Sequence, residues 1–139
     1  MSEQNKTTVR RFIEEAWNKG NLGILDEVYT ADYAYYGPGG MEIKGAESFG
    51  QMVEAFRSAL PDLHCTIEDQ LAEGDKVATR WSLRGTHESE LMGAAPTGNE
   101  VMMSGTVIHR FEGGKIAEAR DMWDSLNFMQ QIGVVPPQT

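Results

Sequence analysis

The sequence predicts an α+β fold in which N-terminal helices pack on a strongly curved, mostly antiparallel sheet. Apolar residues recur with the helical period of 3.6 through most of the segment 7–60, and after Pro61 they alternate with the period of 2 that is typical of strands. Helices followed by an antiparallel meander indicate a sheet covered by helices on one face. Because such a sheet curls around its helices, we expect a cone-shaped barrel whose open mouth forms a small-molecule pocket.

Three amphipathic helices are expected in the first part of the chain. The segment 7–19 places one apolar face on a helix that Gly20-Asn21 ends, with Val9, Phe12, Ile13, Ala16 and Trp17 on that face. A short second helix carries Leu22, Leu25, Val28 and Tyr29. The third runs from 46 to about 60 and stops before Pro61. Between the last two, Tyr33, Tyr35 and Tyr36 indicate a strand.

Four more strands are predicted at 63–72, 76–87, 99–111 and 115–124. Two of their connections, Glu73-Gly74-Asp75-Lys76 and Glu112-Gly113-Gly114-Lys115, contain the glycines that tight hairpins require. A chain of 139 residues with 40% hydrophobic composition can build one core and is too short for two. We therefore expect a single domain over residues 1–139.

Charge and composition indicate which classes of binding partner are excluded. The chain has 21 acidic and 12 basic residues and a formal charge of −9, which repels nucleic-acid phosphates and anionic membranes. The single cysteine, Cys65, excludes an internal disulfide framework. The polar N-terminus and the lack of a long apolar run predict a cytoplasmic protein that binds neither nucleic acid nor membrane.

The strand 115–124 supplies the first candidate site residue. Its alternation places Ile116, Glu118, Arg120, Met122 and Asp124 on one face, and Ala117, Ala119, Asp121 and Trp123 on the other. If the first face lines a pocket, Asp124 becomes a partly desolvated carboxylate whose pKa rises toward a catalytically useful range. Periodicity alone leaves open whether that face meets a pocket or solvent.

Basic side chains supply further candidates. Either face of the strand 76–87 could point inward, and Arg80 would then be one of the few polar groups in an apolar pocket. His109 lies on a largely apolar face and titrates near neutral pH, so it is a structural residue or a proton shuttle. His87 leads into a loop long enough to cover a pocket mouth. The histidines lack metal-ligand spacing, and no cofactor-binding fingerprint occurs, so neither metal nor cofactor is expected.

Several short blocks, taken together and in order, carry a resemblance that spans almost the whole chain. They are FIEEAWNKGN at 12–21, PDLH at 61–64, EGDKVATRW at 73–81, GTH at 85–87, MG at 92–93, PTG at 96–98, GKIAE at 114–118, and Asp124 with QQIG at 130–133. With these blocks the chain resembles the SnoaL-like polyketide cyclases, or ester cyclases, of the nuclear-transport-factor-like superfamily.

The resemblance implies a homodimer that associates through its sheet, with a pocket closed by the C-terminal segment. It also implies an intramolecular aldol condensation without a cofactor, in which a strand carboxylate removes a proton next to a carbonyl. That carboxylate corresponds to Asp124, and His109 corresponds to a pocket histidine that polarises the carbonyl. Arg80, Tyr36 and His87 are expected to bind or orient the substrate, while Arg120 could pair with Asp124 and lower its pKa.

The predicted ligand is a hydrophobic small molecule. The apolar lining of the binding pocket is expected to consist of Trp17, Phe49, Met52, Phe56, Met92, Met103 and Phe128. Three other functions stay open: an epoxide hydrolase using Arg80 and Asp124, although Ser82 replaces its second acid; an isomerase using Asp124 and Tyr36; and a non-catalytic binding protein or interaction module.

Overall fold

The computed structural model describes residues 2–134 and contains helices and strands in the predicted order. The helices are α1 (Ser2–Phe12), which continues as a π-helical segment (Ile13–Asn18), α2 (Ile24–Val28), α3 (Ala46–Ala59) and α4 (Ser125–Gln131), with a 3₁₀ turn at Pro38–Gly40. The strands are β1 (Tyr29–Tyr36), β2 (Glu42–Lys44), β3 (His64–Glu73), β4 (Lys76–Thr86), β5 (Glu100–Glu112) and β6 (Lys115–Trp123).

The six strands form one mixed sheet in the order β2-β1-β6-β5-β4-β3. Every neighbouring pair is antiparallel except β1 and β6, which run parallel. The helices pack on one face, and the sheet is not closed, because β2 and β3 form its edges. The predicted α+β fold is therefore confirmed. Strand β2 and helix α4 are additional to the predicted elements, and α1 begins five residues before the predicted helix start at residue 7.

The π-helical segment after α1 is fixed to its surroundings from two sides. The side-chain amide of Asn18 accepts a hydrogen bond from the Cys65 backbone N–H at 2.7 Å and donates one to the Cys65 carbonyl at 3.0 Å. From α3, Arg57 donates to the carbonyls of Trp17 and Asn18 at 2.6 and 3.0 Å. The Arg57 bonds satisfy carbonyls that a helix end leaves unpaired, and the Asn18 bonds join that end to β3.

A β-bulge in β6 decides which of its side chains face the helices. Phe111 pairs with Ile116, but Arg110 pairs with Glu118, so Ala117 is an extra residue on β6. Ile116 and Ala117 are both buried as a result. Past the bulge, the inward positions are occupied by Ala119, Asp121 and Trp123.

Candidate active site

A cavity of about 60 Å³ lies between the helices and the concave face of the sheet. Its wall is mainly aromatic and aliphatic and consists of Phe12, Ile13, Trp17, Tyr33, Tyr35, Phe49, Met52, Phe56, Cys65, Trp81, Leu83, Met103, Val107, His109, Asp121 and Trp123. Tyr33, the most deeply buried polar residue of this wall at 1% exposure, lies at its inner end. Trp17, Met52, Asp121 and Trp123 are partly exposed and form its rim.

Asp121 is the only carboxylate among the described residues that line this cavity. Its two oxygens are held by separate donors: the Tyr35 hydroxyl donates to Oδ2 at 2.8 Å, and the Trp81 indole Nε1–H donates to Oδ1 at 3.1 Å. The three side chains come from β6, β1 and β4, so the carboxylate is fixed by strands on both sides of it in the sheet.

Burial dominates the electrostatics of Asp121. Desolvation raises the pKa of its carboxyl group to about 6, although the hydrogen bonds from Tyr35 and Trp81 both act to lower that pKa. A carboxylate that titrates near 6 is a stronger base than an ordinary aspartate and is still mostly ionised at neutral pH. Each oxygen has lone pairs left after its one hydrogen bond. Asp121 can therefore accept a proton from a ligand in the cavity.

His109 is the second ionisable group of the cavity wall. It is 2% exposed and packs edge to face on Phe12, with ring centroids 5.8 Å apart. Burial lowers the pKa of its imidazole to about 4, so the ring is neutral at neutral pH. Its Nδ1 has no hydrogen-bond partner among the described residues. A neutral imidazole of this kind can donate a hydrogen bond to a substrate oxygen, as a neutral electrophilic histidine does in other enzymes.

The predicted position of Asp124 is wrong. Asp124 is exposed at the N-terminus of α4, where its Oδ1 accepts the backbone N–H of Asn127 at 2.9 Å. It therefore caps a helix instead of facing the cavity. Arg120 does not pair with it: the guanidinium contacts Glu118 at 3.0 Å and lies over the Tyr36 ring. The inner face of β6 is the less charged one, which carries Asp121.

Arg80 and Tyr36 also lie outside the cavity. Arg80 is exposed, because its neighbours Thr79 and Trp81 occupy the buried positions of β4. Tyr36 is half-buried, and its ring supports the Arg120 guanidinium, whose carbon lies 4.5 Å from the ring centroid. The tyrosines of β1 that face the cavity are Tyr33 and Tyr35.

His87 and Met92 were expected at the mouth and are found elsewhere. His87 is fully buried, and its Nδ1 accepts the backbone N–H of Thr97 at 3.3 Å, which ties the following loop together instead of contacting the cavity. Met92 is 48% exposed at a tight turn with a positive φ of 54°. Both belong to the segment between β4 and β5, which folds back on itself through the Leu91–Ala94 bridge.

Most of the apolar residues predicted to line the pocket do line the cavity. The structure brings together Trp17, Phe49, Met52, Phe56 and Met103 in the cavity wall. Phe128 is fully buried just behind it, 5.9 Å from Phe56 and 6.1 Å from Trp123 between ring centroids. Sequence reasoning missed Asp121, Tyr35 and Trp81 as a group. The available signal was that Ala117, Ala119 and Trp123 make the face of Asp121 the less charged one.

These features define a class of protein: an α+β domain with a mostly apolar cavity whose wall carries one carboxylate, one neutral imidazole and phenol and indole donors. Among residues 2–134 there is no cluster of three metal-binding side chains. No helix of that part of the chain is long and apolar enough to cross a membrane. The polar groups of the wall are suited to proton transfer and hydrogen bonding.

The chain belongs to the SnoaL-like polyketide cyclase family, whose sequence pattern matches residues 7–132. It is 36% identical over 148 residues to aklanonic acid methyl ester cyclase AcmA of Streptomyces galilaeus, covering 100% of this chain and 96% of AcmA. The structure is similar to AclR of Streptomyces galilaeus, a candidate hydroxylase, with a TM-score of 0.87, 27% identity and coverage of 100% and 87%. It is also similar to IdmH of Streptomyces antibioticus, a candidate polyketide cyclase, with a TM-score of 0.80 and 30% identity. The match covers 94% of this chain and 99% of IdmH. The predicted family is thereby confirmed.

Proposed function

We propose that this protein catalyses an intramolecular aldol ring closure of a polyketide ester, with Asp121 as the acid/base group. The observation that carries the proposal is the Asp121 carboxylate, which has a pKa of about 6 and faces a largely apolar cavity. Family membership and the similarity to an ester cyclase support it. Asp121 takes the role that the sequence pattern suggested for Asp124.

The proposed reaction uses one proton, which leaves and returns. Asp121 removes a proton from the carbon between or beside carbonyl groups, and the electrons of that C–H bond move into an enolate. The enolate carbon then attacks a second carbonyl carbon of the same molecule, which forms the C–C bond and an alkoxide. The protonated Asp121 returns its proton to that alkoxide. Product and substrate are isomers, so the reaction requires no oxidant, reductant or water.

His109 is proposed to hold the enolate oxygen. His109 and Tyr35 lie on opposite sides of Ala119 in the sheet, because Ala119 pairs with both residues. Asp121 lies two residues further along β6. A neutral donor beside the reacting carbon stabilises the developing oxyanion without competing for the proton that Asp121 takes. Tyr35 and His109 both line the cavity.

Ligand binding is expected to enlarge the cavity. Its present volume of about 60 Å³ is small. Pockets for drug-sized ligands usually enclose about 300 Å³ or more. The partly exposed rim residues Trp17, Met52 and Trp123 are the ones that can move without opening the sheet.

A homodimer through the sheet is proposed as the assembly. The outer face of the sheet carries three exposed apolar residues, Met102, Ile108 and Met122, which are 60%, 44% and 68% exposed. A sheet face with several exposed apolar residues is a candidate interface. Sedimentation analysis tests this: the wild type is expected to be dimeric and Met122→Glu monomeric, and a monomeric wild type would contradict it.

The decisive experiment offers aklanonic acid methyl ester to the wild type, Asp121→Asn and Asp124→Asn, with and without oxygen. We expect wild type and Asp124→Asn to form a product of unchanged mass in either atmosphere, and Asp121→Asn to lose turnover by a factor of 100 or more, about 3 kcal/mol. A product heavier by one oxygen atom and formed only in air would favour the hydroxylase assignment of AclR. Binding without turnover of this and related esters would favour a carrier.

A further inference from the structure

Two stacked tyrosines lie at the inner end of the cavity. The rings of Tyr29 and Tyr33 are nearly parallel, at 6°, with centroids 3.6 Å apart, and the residues are 3% and 1% exposed. Only Tyr33 lines the cavity. Neither hydroxyl has a hydrogen-bond partner among residues 2–134. The two tyrosines thus share burial and surroundings but differ in access to the ligand space.

An unpartnered phenol in this position requires an explanation. Leaving a buried hydroxyl without a partner costs about 1–3 kcal/mol, and most buried polar groups in folded proteins are paired. Tyr29 does not supply that partner, because the two rings stack in parallel and no hydrogen bond joins their hydroxyls. Burial raises the pKa of Tyr33, so the phenol stays protonated and available as a donor.

Tyr33 makes no hydrogen bond to Asp121, whose phenol donor is Tyr35. Tyr35 reaches Asp121 by its hydroxyl, and Tyr33 precedes Tyr35 by two residues on the same face of β1. Two residues of a strand span roughly 7 Å. Tyr33 therefore offers the cavity a phenol donor that Asp121 does not already use.

We propose that the Tyr33 hydroxyl is a second ligand-binding group, which donates a hydrogen bond to a carbonyl or phenol oxygen at the inner end of an aromatic, multiply oxygenated ligand. The proposal deepens the proposed function and rests on it only for the identity of the reacting end. It specifies the ligand class: one oxygenated end is placed at Asp121 and another, separate oxygen is placed at Tyr33.

Binding of two matched ketones tests this proposal. 2-Acetylnaphthalene and 6-hydroxy-2-acetylnaphthalene share a scaffold and a carbonyl, and they differ by a hydroxyl remote from that carbonyl. Their affinities can be measured by quenching of tryptophan fluorescence, because Trp17, Trp81 and Trp123 all line the cavity. The proteins compared are the wild type, Tyr33→Phe, Tyr29→Phe and Asp121→Asn, each checked for an unchanged circular dichroism spectrum.

The wild type is expected to prefer the hydroxylated ketone by about tenfold, as one buried hydrogen bond provides. Tyr33→Phe should abolish that preference, whereas the matched control Tyr29→Phe should keep it. Asp121→Asn should also keep it, so failure of the catalytic assignment leaves this result unaffected. Equal wild-type affinities, a preference that survives in Tyr33→Phe, or no binding of either ketone would overturn the proposal.

Discussion

The hydroxyl of Tyr35 donates a 2.8 Å hydrogen bond to Oδ2 of Asp121. The two residues are 86 positions apart, and they meet because β1 inserts beside β6 as the one parallel pair of the sheet. This contact joins the first strand to the last and orients the carboxylate that we propose as the acid/base group.

Loss of the Tyr35 hydroxyl should shift the pH dependence of activity. The hydrogen bond from Tyr35 favours the ionised form of Asp121 and lowers its pKa, so Tyr35→Phe should move the acidic limb of the kcat/KM profile above its wild-type position near pH 6. Tyr36→Phe, on the outer side of the same strand, is the matched control and should leave the limb in place. An unchanged limb in Tyr35→Phe would show that this hydrogen bond does not affect the ionisation on which the reaction depends.

Asp121→Asn should stabilise the protein above pH 6. The folded-state pKa of about 6 lies above the ordinary value of 3.8, so the folded protein binds the proton more tightly and stability falls as pH rises through that interval. The full shift corresponds to about 3 kcal/mol. The asparagine can accept from Trp81 and donate to Tyr35, so urea unfolding at pH 8 should show a gain of about 1–2 kcal/mol. A clear loss would contradict the desolvated carboxylate.

His109 makes stability depend on pH in the opposite direction to Asp121. Its folded-state pKa of about 4 lies below the ordinary 6.5, so the unfolded chain binds the proton more tightly and stability falls as pH drops through that interval. In the wild type this loss and the gain from Asp121 largely offset each other between pH 4 and 6. Asp121→Asn should reveal the histidine slope in urea unfolding, and the Asp121→Asn/His109→Gln double variant should remove it. A double variant as steep as the single one would place the titration elsewhere.

Gln131 should hold α4 against the sheet. Its side-chain amide accepts the Met102 backbone N–H and donates to the Met102 carbonyl, both at 2.8 Å, at a point of β5 that β6 no longer covers. Gln131→Ala should reduce the free energy of unfolding by about 1–2 kcal/mol, because both hydrogen bonds are lost. It should also speed ligand entry, because α4 carries Phe128 behind the rim. Stopped-flow fluorescence measures the entry rate. Gln130→Ala is the neighbouring control, and equal behaviour of the two variants would argue against this attachment.

The sequence was sufficient to predict the order of the main elements. The β3–β4 and β5–β6 hairpins follow from their glycine turns, and the observed strands begin and end within one residue of the predicted bounds. Local pattern did not show which face of β6 is the inner one. That choice depends on the bulge at Ala117, which puts Ile116 and Asp121 on the same side although their spacing is odd.

The site itself is assembled by long-range contacts, which periodicity cannot reveal. Asp121 is distinguished from Asp124 only by what surrounds it, namely the Tyr35 hydroxyl and the Trp81 indole. Asp124 has the features of a helix cap, but that assignment requires α4, which sequence reasoning did not identify as a helix. The family resemblance indicated a carboxylate at the end of the last strand, and the structure places Asp121, not Asp124, in the cavity wall.

Exchange of the methyl hydrogens of 2-acetylnaphthalene with D₂O, followed by NMR at pD 7.5, tests the central claim most directly, because it reports proton removal without ring closure. The wild type and Asp124→Asn should accelerate the exchange equally, and Asp121→Asn should reduce it to the uncatalysed rate. Exchange that persists in Asp121→Asn and disappears in Asp124→Asn would contradict the assignment of Asp121 as the base.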